Sequence, residues 1–325
     1  MLKKILCVGA GVMVGGAAVL SAAYLYLIHT STPEAPRLSA PIQQGSVQVG
    51  GLERTYQAYV PADLPEQPAL LLAFHGSRAD SDTMRVYTGY EFERLADQHG
   101  FIVVYPDGYE QHWNDCRKSG PYAANTLNVD DLGFVRALIR RFATEYGADT
   151  SSVFAVGFSN GGHMAYRLAL EMPRSVHAVA AIGANLPTLD NLDCTPSGEP
   201  VSVLIMNGTN DPLNPFTGGE VNLYGFLKRG TVRSAQSSAE YFVQLAGTDL
   251  ASSTRTQIRG DDADEVMDQT TWTSPNGPTV SLYAVHGGGH TIAQPYFRFP
   301  RLLGTTPTTL NAPDEIWKFF TERSL

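Results

Sequence analysis

The segment from Ser151 to Met172, SSVFAVGFSNGGHMAYRLALEM, constrains the fold more than any other part of this sequence. A short apolar run, Val153–Val156, leads into Gly157-Phe-Ser159-Asn-Gly161, and good helix formers follow. A serine in a sharp turn between a strand and a helix needs small neighbours, because larger side chains would collide with adjacent elements. The pattern predicts a nucleophile elbow that exposes the Ser159 hydroxyl at a helix N-terminus. The alternative is a glycine-rich turn in which Ser159 only caps the helix.

Apolar runs and amphipathic segments alternate along the rest of the chain. The continuous apolar run Ala69–Phe74 suits a strand that is buried on both faces. Further strands are predicted at Phe101–Tyr105, Val176–Ile182, Val201–Met206 and Thr279–Val285. Helices are predicted at Tyr90–His99, Asp131–Tyr146, Ser234–Ala246 and Pro313–Arg323, and a hairpin at Ser46–Val49 and Arg54–Val60. The alternation predicts an α/β fold with a mostly parallel central sheet, helices on both faces and a single domain.

The charge balance excludes one class of partner. The 325 residues include 32 acidic and 23 basic ones, so the net charge is −9, and no run of lysine or arginine follows residue 4. Nucleic acid is therefore not expected as a partner, since its phosphates demand a basic surface.

The N-terminus resembles a targeting segment. Lys3 and Lys4 precede an uncharged, largely apolar run over Ile5–Ile28, which predicts a signal peptide or a membrane anchor within residues 1–29. Cleavage after Ala23 is one alternative, and retention of the run as an anchor is the other.

Either alternative predicts an exported catalytic part that is secreted, periplasmic or anchored through residues 5–28. Residues 30–45 are predicted to be a Pro-rich linker, and residues 46–325 are predicted to form the catalytic domain. A membrane is expected as a partner only if the N-terminal segment stays uncleaved.

Two of the three cysteines lie in the predicted exported part. Cys116 and Cys194 stand in loop-like sequence, where an oxidising compartment permits a disulfide, and two free buried thiols are the alternative. Neither belongs to a spacing typical of metal ligands. We expect no metal and no organic cofactor.

A serine hydroxyl becomes a good nucleophile only when a base takes its proton and a carboxylate orients that base. In this type of fold an acid and a histidine follow the serine, each in a loop after a strand. Asp211, in NGTNDP, and His290, in HGGGH, fit that order. The competing residues are His286, Asp190, Asp193 and the acidic run Asp261, Asp262 and Asp264.

Backbone N–H groups of Ser77 and Asn160 are predicted to form the oxyanion hole. His75-Gly-Ser77 lies at the end of a buried strand upstream of the elbow, where such a donor belongs, and His75 itself is predicted to be structural. His163 is predicted to pack within the helix rather than to act as a second base.

Four aromatic residues and a leucine in two long loops are candidates for a substrate cleft. They either line the cleft or only pack the loops, and they are Trp113, Phe216, Leu223, Tyr224 and Phe226.

Seven motifs together resemble the polyhydroxybutyrate depolymerase / feruloyl esterase-type family of the α/β-hydrolase superfamily. They are HGS (75–77), YPDGYEQHW (105–113), VDDLGFV (129–135), VFAVGFSNGGHMA (153–165), NGTNDPLNPFTGG (207–219), GGGH (287–290) and NAPDEIWKFF (311–320). The resemblance covers roughly residues 46–325 and implies the same nucleophile, acid and base: Ser159, Asp211 and His290. Two departures, His163 in place of methionine and Thr291-Ile292-Ala293 in place of Trp-Pro-Gly, lie near the predicted site.

The sequence thus predicts an exported serine esterase that acts through an acyl-enzyme. The resemblance implies as substrate a hydroxybutyrate polyester, a feruloyl or acetyl polysaccharide ester, or a short-chain ester. The alternatives are a peptidase of the same fold and a catalytically inactive binding protein on this scaffold.

Overall fold

A ten-stranded sheet forms the centre of the protein. The computed structural model describes residues 21–222, 224–226, 228–274 and 277–321. The strands of the sheet are β1 (Gln43–Val49), β2 (Leu52–Tyr59), β3 (Leu70–Phe74), β4 (Ile102–Pro106), β5 (Val153–Phe158), β6 (Ala178–Ile182), β7 (Ser202–Gly208), β10 (Thr254–Arg259), β11 (Val266–Thr273) and β12 (Thr279–Val285). The short strands β8 (Gly219–Glu220) and β9 (Thr231–Val232) pair separately.

The order across the large sheet is β1-β2-β4-β3-β5-β6-β7-β12-β11-β10. The central strands from β4 to β12 pair in parallel, and antiparallel strands extend the sheet on both sides. The carboxyl ends of the parallel strands therefore meet at one edge, which is where loops of this architecture form ligand sites.

Helices cover both faces of the sheet. They are α1 (Ser81–Tyr87), α2 (Glu91–His99), α3 (Ala123–Thr126), α4 (Asp131–Tyr146), α5 (Asn160–Glu171), α6 (Ala235–Leu245) and α7 (Ala312–Thr321). Helices α4, α5 and α6 contribute to the hydrophobic core on one face, and α1, α2 and α7 contribute to the core on the other. The predicted fold class is confirmed.

Local sequence explains where several helices begin and end. The Asp130 side chain caps α4 by accepting from the N–H of Gly133, and Ser234 caps α6 by accepting from Ser237. Gly100 and Gly147 end α2 and α4 in the left-handed conformation that glycine adopts without steric cost.

The antiparallel strands β10 and β11 are absent from the sequence prediction. Their residues are mostly polar and exposed or half-buried, so they lack the apolar character by which the central strands were predicted. The acidic run Asp261, Asp262 and Asp264 lies between them and joins the pair. β10 forms one edge of the sheet and carries Arg255 and Arg259.

Part of the segment predicted to be a linker, residues 30–45, lies against the domain. The Ser39 hydroxyl donates to Asp97 at 2.5 Å, and Leu38 and Ile42 pack on the core that includes α2. Strand β1 also begins within this segment, at Gln43.

The predicted signal or anchor falls mainly on residues 1–20, which lie outside the described residues, and residues 21–27 are helical. Within the part of the chain that the structure describes, no helix combines the length and apolarity needed to cross a bilayer.

A disulfide joins Cys116, in the loop after β4, to Cys194, in the loop after β6, with 4.9 Å between their Cα atoms. The structure thus has the bridge rather than two free thiols. Cys116 is fully buried, and the bond ties together two loops at the carboxyl edge of the sheet.

Replacing both Cys116 and Cys194 by serine should lower the free energy of unfolding, because the bridge closes a loop of 78 residues. The loop-entropy relation gives about 4.5 kcal/mol for such a loop as an upper figure. Denaturant unfolding of the double variant measures the loss. Reduction of the unmodified protein should reproduce the loss and leave the double variant unchanged, whereas equal stability of oxidised protein and double variant would contradict the expectation.

Candidate active site

The turn between β5 and α5 holds Ser159 in a strained conformation, with φ 56° and ψ −115°. The Ser159 N–H donates to Ile182 O at 2.8 Å, which fixes the turn against β6. A Cβ on Gly157 would lie 2.0 Å from Gly161 O, and a Cβ on Gly161 would lie 2.2 Å from Phe74 O. Only glycine fits at either position, so the turn has the geometry of the predicted elbow. Ser159 does not cap the helix with its side chain.

Asp211 and His290 meet at the same edge of the sheet. Asp211 follows β7, and its Oδ2 lies 2.7 Å from His290 Nδ1. Its Oδ1 accepts from the backbone N–H groups of Leu213 and Asn214, each at 2.8 Å. A carboxylate only accepts hydrogen bonds, so Nδ1 carries the ring proton and Nε2 is left as the basic nitrogen.

Close backbone contacts hold the loop that carries His290 against the end of β7 and against Leu303. A Cβ on Gly208 would lie 2.2 Å from Gly288 O, and one on Gly289 would lie 2.1 Å from Leu303 O. The His290 N–H donates to Leu303 O at 2.7 Å, and its ring lies 4.9 Å from the Phe158 ring.

The competing residues lie elsewhere. His286 pairs with Asp268 at 2.7 Å, and both side chains are about half exposed. Asp190 accepts from Thr231, and the Asp193 N–H donates to Cys116 O.

Ser159 and His290 line one cavity of about 230 Å³ at the carboxyl edge of the sheet. Its apolar wall consists of Tyr87, Phe158, Leu213, Val221 and Leu303. Among the contacts of the described residues, no hydrogen bond links the Ser159 hydroxyl to the ring of His290. Such bonds are often long without substrate and tighten in the reacting complex.

The residues predicted for the oxyanion hole lie beside the elbow. A Cβ on Gly76 would lie 3.4 Å from the Cβ of Ser159, so the turn at residues 75–77 closely approaches the serine. Ser77 lines the cavity, and Asn160 is the first residue of α5. Within the described residues, neither backbone N–H donates to a protein acceptor, which leaves both available to a ligand.

His75 holds two loops together. Its Nε2 accepts from the Gly108 N–H at 2.8 Å, and its Nδ1 lies 2.7 Å from Gly76 O. Burial lowers the pKa of His75 to about 4, so the ring is neutral at physiological pH.

The Asn160 side chain fixes the elbow to the loop after β4, a link that the sequence did not reveal. Its Oδ1 accepts from the Trp113 N–H at 2.8 Å, and its Nδ2 donates to Asp115 at 2.5 Å. Asp115 forms a buried ion pair with Arg117 at 2.5 Å. Burial by itself would raise the pKa of Asp115, but the guanidinium of Arg117 holds that pKa below its ordinary value.

The aromatic residues predicted for the substrate cleft are not among the residues that line this cavity, so their place in a cleft stays a prediction. Trp113 is fully buried. Its indole N–H donates to His75 O, and its ring packs on the ring of Phe74. Phe216 packs against the core on the side of α6. Tyr224 is 55% exposed and donates to Leu302 O at 2.6 Å, so it stands on the rim.

Two further residues were candidates for the cleft. Phe226 is 75% exposed, and Leu223 lies outside the described residues.

His163 lies on the cavity wall, in the first turns of α5, and is 2% exposed. Its Nδ1 has no hydrogen-bond partner among the described residues. Burial, followed by the charge of Arg117, lowers its pKa well below the ordinary value. The sequence did not predict a neutral imidazole with an unpartnered Nδ1 on the wall beside Ser159.

Within the described ranges, no group of three or more His, Cys, Asp or Glu side chains could hold a metal ion.

No protein-family profile matches the chain. Individual proteins do: over 299 residues the chain is 29% identical to a putative esterase, NocK, of Nocardia uniformis subsp. tsuyamanensis, covering 88% of this chain and 84% of that protein. It is 27% identical over 205 residues to a probable feruloyl esterase C of Aspergillus niger, covering 62% and 70% of the two chains.

Among solved structures, an acetyl xylan esterase from Aspergillus awamori aligns with a TM-score of 0.56 at 17% identity. The alignment covers 86% of this chain and 99% of that one. At this identity the match supports the fold.

Replacing His163 by methionine should make stability less dependent on pH. His163 is buried in the neutral form, so its pKa in the folded protein lies below the unfolded value near 6.5. As pH falls below 6.5 the unfolded chain binds the extra proton, and stability is lost. For one such group the loss between pH 7 and pH 5 is about 2 kcal/mol.

Denaturant unfolding at pH 7, 6 and 5 measures this dependence. His29→Met, at an exposed histidine, is the matched control and should retain the pH dependence of the unmodified protein. Parallel curves for the unmodified protein and His163→Met would contradict the burial of a neutral imidazole.

Proposed function

We propose that this chain, a carboxylic ester hydrolase of the α/β-hydrolase fold and a relative of feruloyl esterases, works outside the cytoplasm through Ser159, His290 and Asp211. Its resemblance to feruloyl esterase-type hydrolases is confirmed by the relatives found over most of its length. The observation that carries the proposed mechanism is the 2.7 Å contact between Asp211 and His290, on the wall of the cavity into which the strained Ser159 faces.

In the first half of the reaction, Ser159 Oγ attacks the ester carbonyl carbon while His290 Nε2 takes the hydroxyl proton. Asp211 holds the ring in the required tautomer and stabilises the imidazolium that forms. The N–H groups of Ser77 and Asn160 donate to the carbonyl oxygen as it becomes negative. The tetrahedral intermediate then collapses, the alcohol leaves with the proton from His290, and an acyl-serine remains.

In the second half, water attacks the acyl-serine and His290 accepts its proton. Collapse of the second tetrahedral intermediate releases the carboxylic acid and returns the proton to Ser159. Each step uses the same amides and the same imidazole, so the site needs no rearrangement between the two halves.

The apolar wall of Tyr87, Phe158, Leu213, Val221 and Leu303 provides a surface for the organic part of the substrate. The relatives' names suggest feruloyl and acetylxylan esters. Polyesters of hydroxybutyrate and short-chain esters fit the same chemistry.

Export is supported by two features. A disulfide persists in oxidising compartments, and the structure has one between Cys116 and Cys194. The apolar N-terminal run after Lys3 and Lys4 matches a targeting segment.

Ser159→Ala should lower kcat/KM on a p-nitrophenyl butanoate substrate by at least ~10³-fold, because the nucleophile is lost while the fold is kept. Ser175→Ala, outside the cavity, is the matched control and should retain the rate. Labelling by a fluorophosphonate probe should be lost in Ser159→Ala only. Labelling or activity that survives in Ser159→Ala would remove this residue from the mechanism, and faster cleavage of peptides than of esters would identify a peptidase.

Asp211→Asn should lower kcat by about 10⁴-fold and change KM little, because an amide no longer selects the tautomer with the proton on Nδ1. Steady-state kinetics on the same ester separates the two constants. An Asp268→Asn variant, at the carboxylate that pairs with His286, is the control. A loss that is equal in both variants would refute the assignment of Asp211.

A further inference from the structure

The cavity has a charge opposite to that of the protein as a whole. The chain carries a net charge of −9. In the described part of the cavity, the charged side chains on the wall belong to Arg78, Arg117 and Arg229, and no aspartate or glutamate lines it. An acidic surface around a basic cavity is not explained by the hydrolysis of a neutral ester.

Two of these three guanidinium groups lack a carboxylate partner. Arg117 is neutralised by Asp115 in a buried pair. No carboxylate of the described residues lies within salt-bridge distance of Arg229 or Arg78. Arg229 is half-buried and lies over the ring of Tyr122, 4.7 Å from its centroid.

Arg78 and Arg229 converge on the same part of the cavity, although 150 residues of sequence separate them. Both lie close enough to His112 to lower its pKa, after the larger effect of burial. The ring of His112 in turn stacks on Tyr122 at 4.1 Å, which is the ring that Arg229 covers. Arg78 also directly follows Ser77, one of the proposed oxyanion donors.

Polar side chains without partners lie on the same wall. Asn214 is 1% exposed, and both its amide nitrogen and its amide oxygen lack a hydrogen-bond partner among the described residues. His163 Nδ1 is likewise unpartnered. Buried polar groups are normally satisfied, so such groups around a cavity point to a polar ligand.

Two carboxylates that belong to the site are already engaged. Asp211 receives hydrogen bonds from His290 and two backbone N–H groups. Asp115 is paired with Arg117 and also accepts from Asn160. Neither is free to neutralise Arg78 or Arg229.

We propose that the substrate carries a carboxylate in addition to its ester, and that Arg229 and Arg78 bind this carboxylate while Asn214 contacts a neighbouring polar group. The inference rests on the proposed esterase function and specifies its substrate class. A planar guanidinium matches a carboxylate in geometry and charge, and such bonds are stronger than neutral hydrogen bonds. The reaction remains addition of water across the ester bond, and the second carboxylate only binds.

Two matched pairs of esters test the proposal and locate the carboxylate. Mono-p-nitrophenyl glutarate and p-nitrophenyl pentanoate differ by a carboxylate on the acyl part. 4-Carboxyphenyl butanoate and phenyl butanoate differ by a carboxylate on the alcohol part. The measured quantity is the kcat/KM of the carboxylate-bearing ester divided by the kcat/KM of the neutral ester of the same pair. This ratio is compared between variants, so that the intrinsic reactivity of the esters cancels.

In at least one pair, Arg229→Gln should reduce this ratio by about 10-fold or more, as expected for loss of a charge-assisted hydrogen bond. Arg229→Lys should retain part of the preference, because it keeps the charge. Arg78→Gln should act in the same direction. Denaturant unfolding and labelling of Ser159 by the fluorophosphonate probe report whether each variant is folded with an intact site.

Arg140→Gln is the control, since it removes the same charge from an exposed position on α4. It should leave both ratios unchanged. Unchanged ratios in Arg229→Gln and Arg78→Gln would overturn the proposal, and so would an equal fall in Arg140→Gln, which would indicate only the long-range potential of the protein. Absence of hydrolysis for all four esters would instead refute the esterase function itself.

Discussion

The close approach of three backbone segments at the elbow is the constraint on which the site depends. Gly157 and Gly161 pack so tightly against each other and against the end of β3 that a single added carbon would overlap a carbonyl oxygen. This packing holds Ser159 at a positive φ that costs energy, and the surrounding sheet offsets that cost. The same approach brings the turn at residues 75–77 beside the serine. One packing arrangement therefore positions both the proposed nucleophile and the proposed oxyanion donors.

Polar contacts of the Asn160 side chain connect the elbow to the loop after β4. The Asn160 side chain binds the backbone of Trp113 and the carboxylate of Asp115, and Asp115 pairs with Arg117. Buried ion pairs cost desolvation and contribute little unless hydrogen bonds complete them, and here Asn160 supplies one. The adjacent disulfide at Cys116 fixes the same loop to the rest of the domain. The disulfide and these polar contacts thus connect the wall of the cavity to the turn that carries Ser159.

Sequence reasoning succeeded where one local pattern dictates one structure. The limits of α4 and β12 were predicted as the structure has them, because α4 has an amphipathic period and β12 is rich in β-branched and aromatic residues. The approach of Asp211 to His290 followed from chain order in this fold class. The cleft residues could not be predicted: whether Trp113 faces a cavity or the core depends on the carbonyl of His75, 38 residues away. Likewise, no local signal shows that Arg229 shares a cavity wall with Arg78.

The polar edge strand β10 disfavours edge-to-edge association of two copies of the protein in solution. An outermost strand presents unpaired backbone groups that can recruit a strand from another copy. Here that strand carries Arg255 and Arg259, and its side chains are almost all exposed to water. Bringing two such strands together would place like charges opposite each other and strip them of hydration. The polar composition that made β10 hard to predict from the sequence therefore also disfavours aggregation through this edge of the sheet.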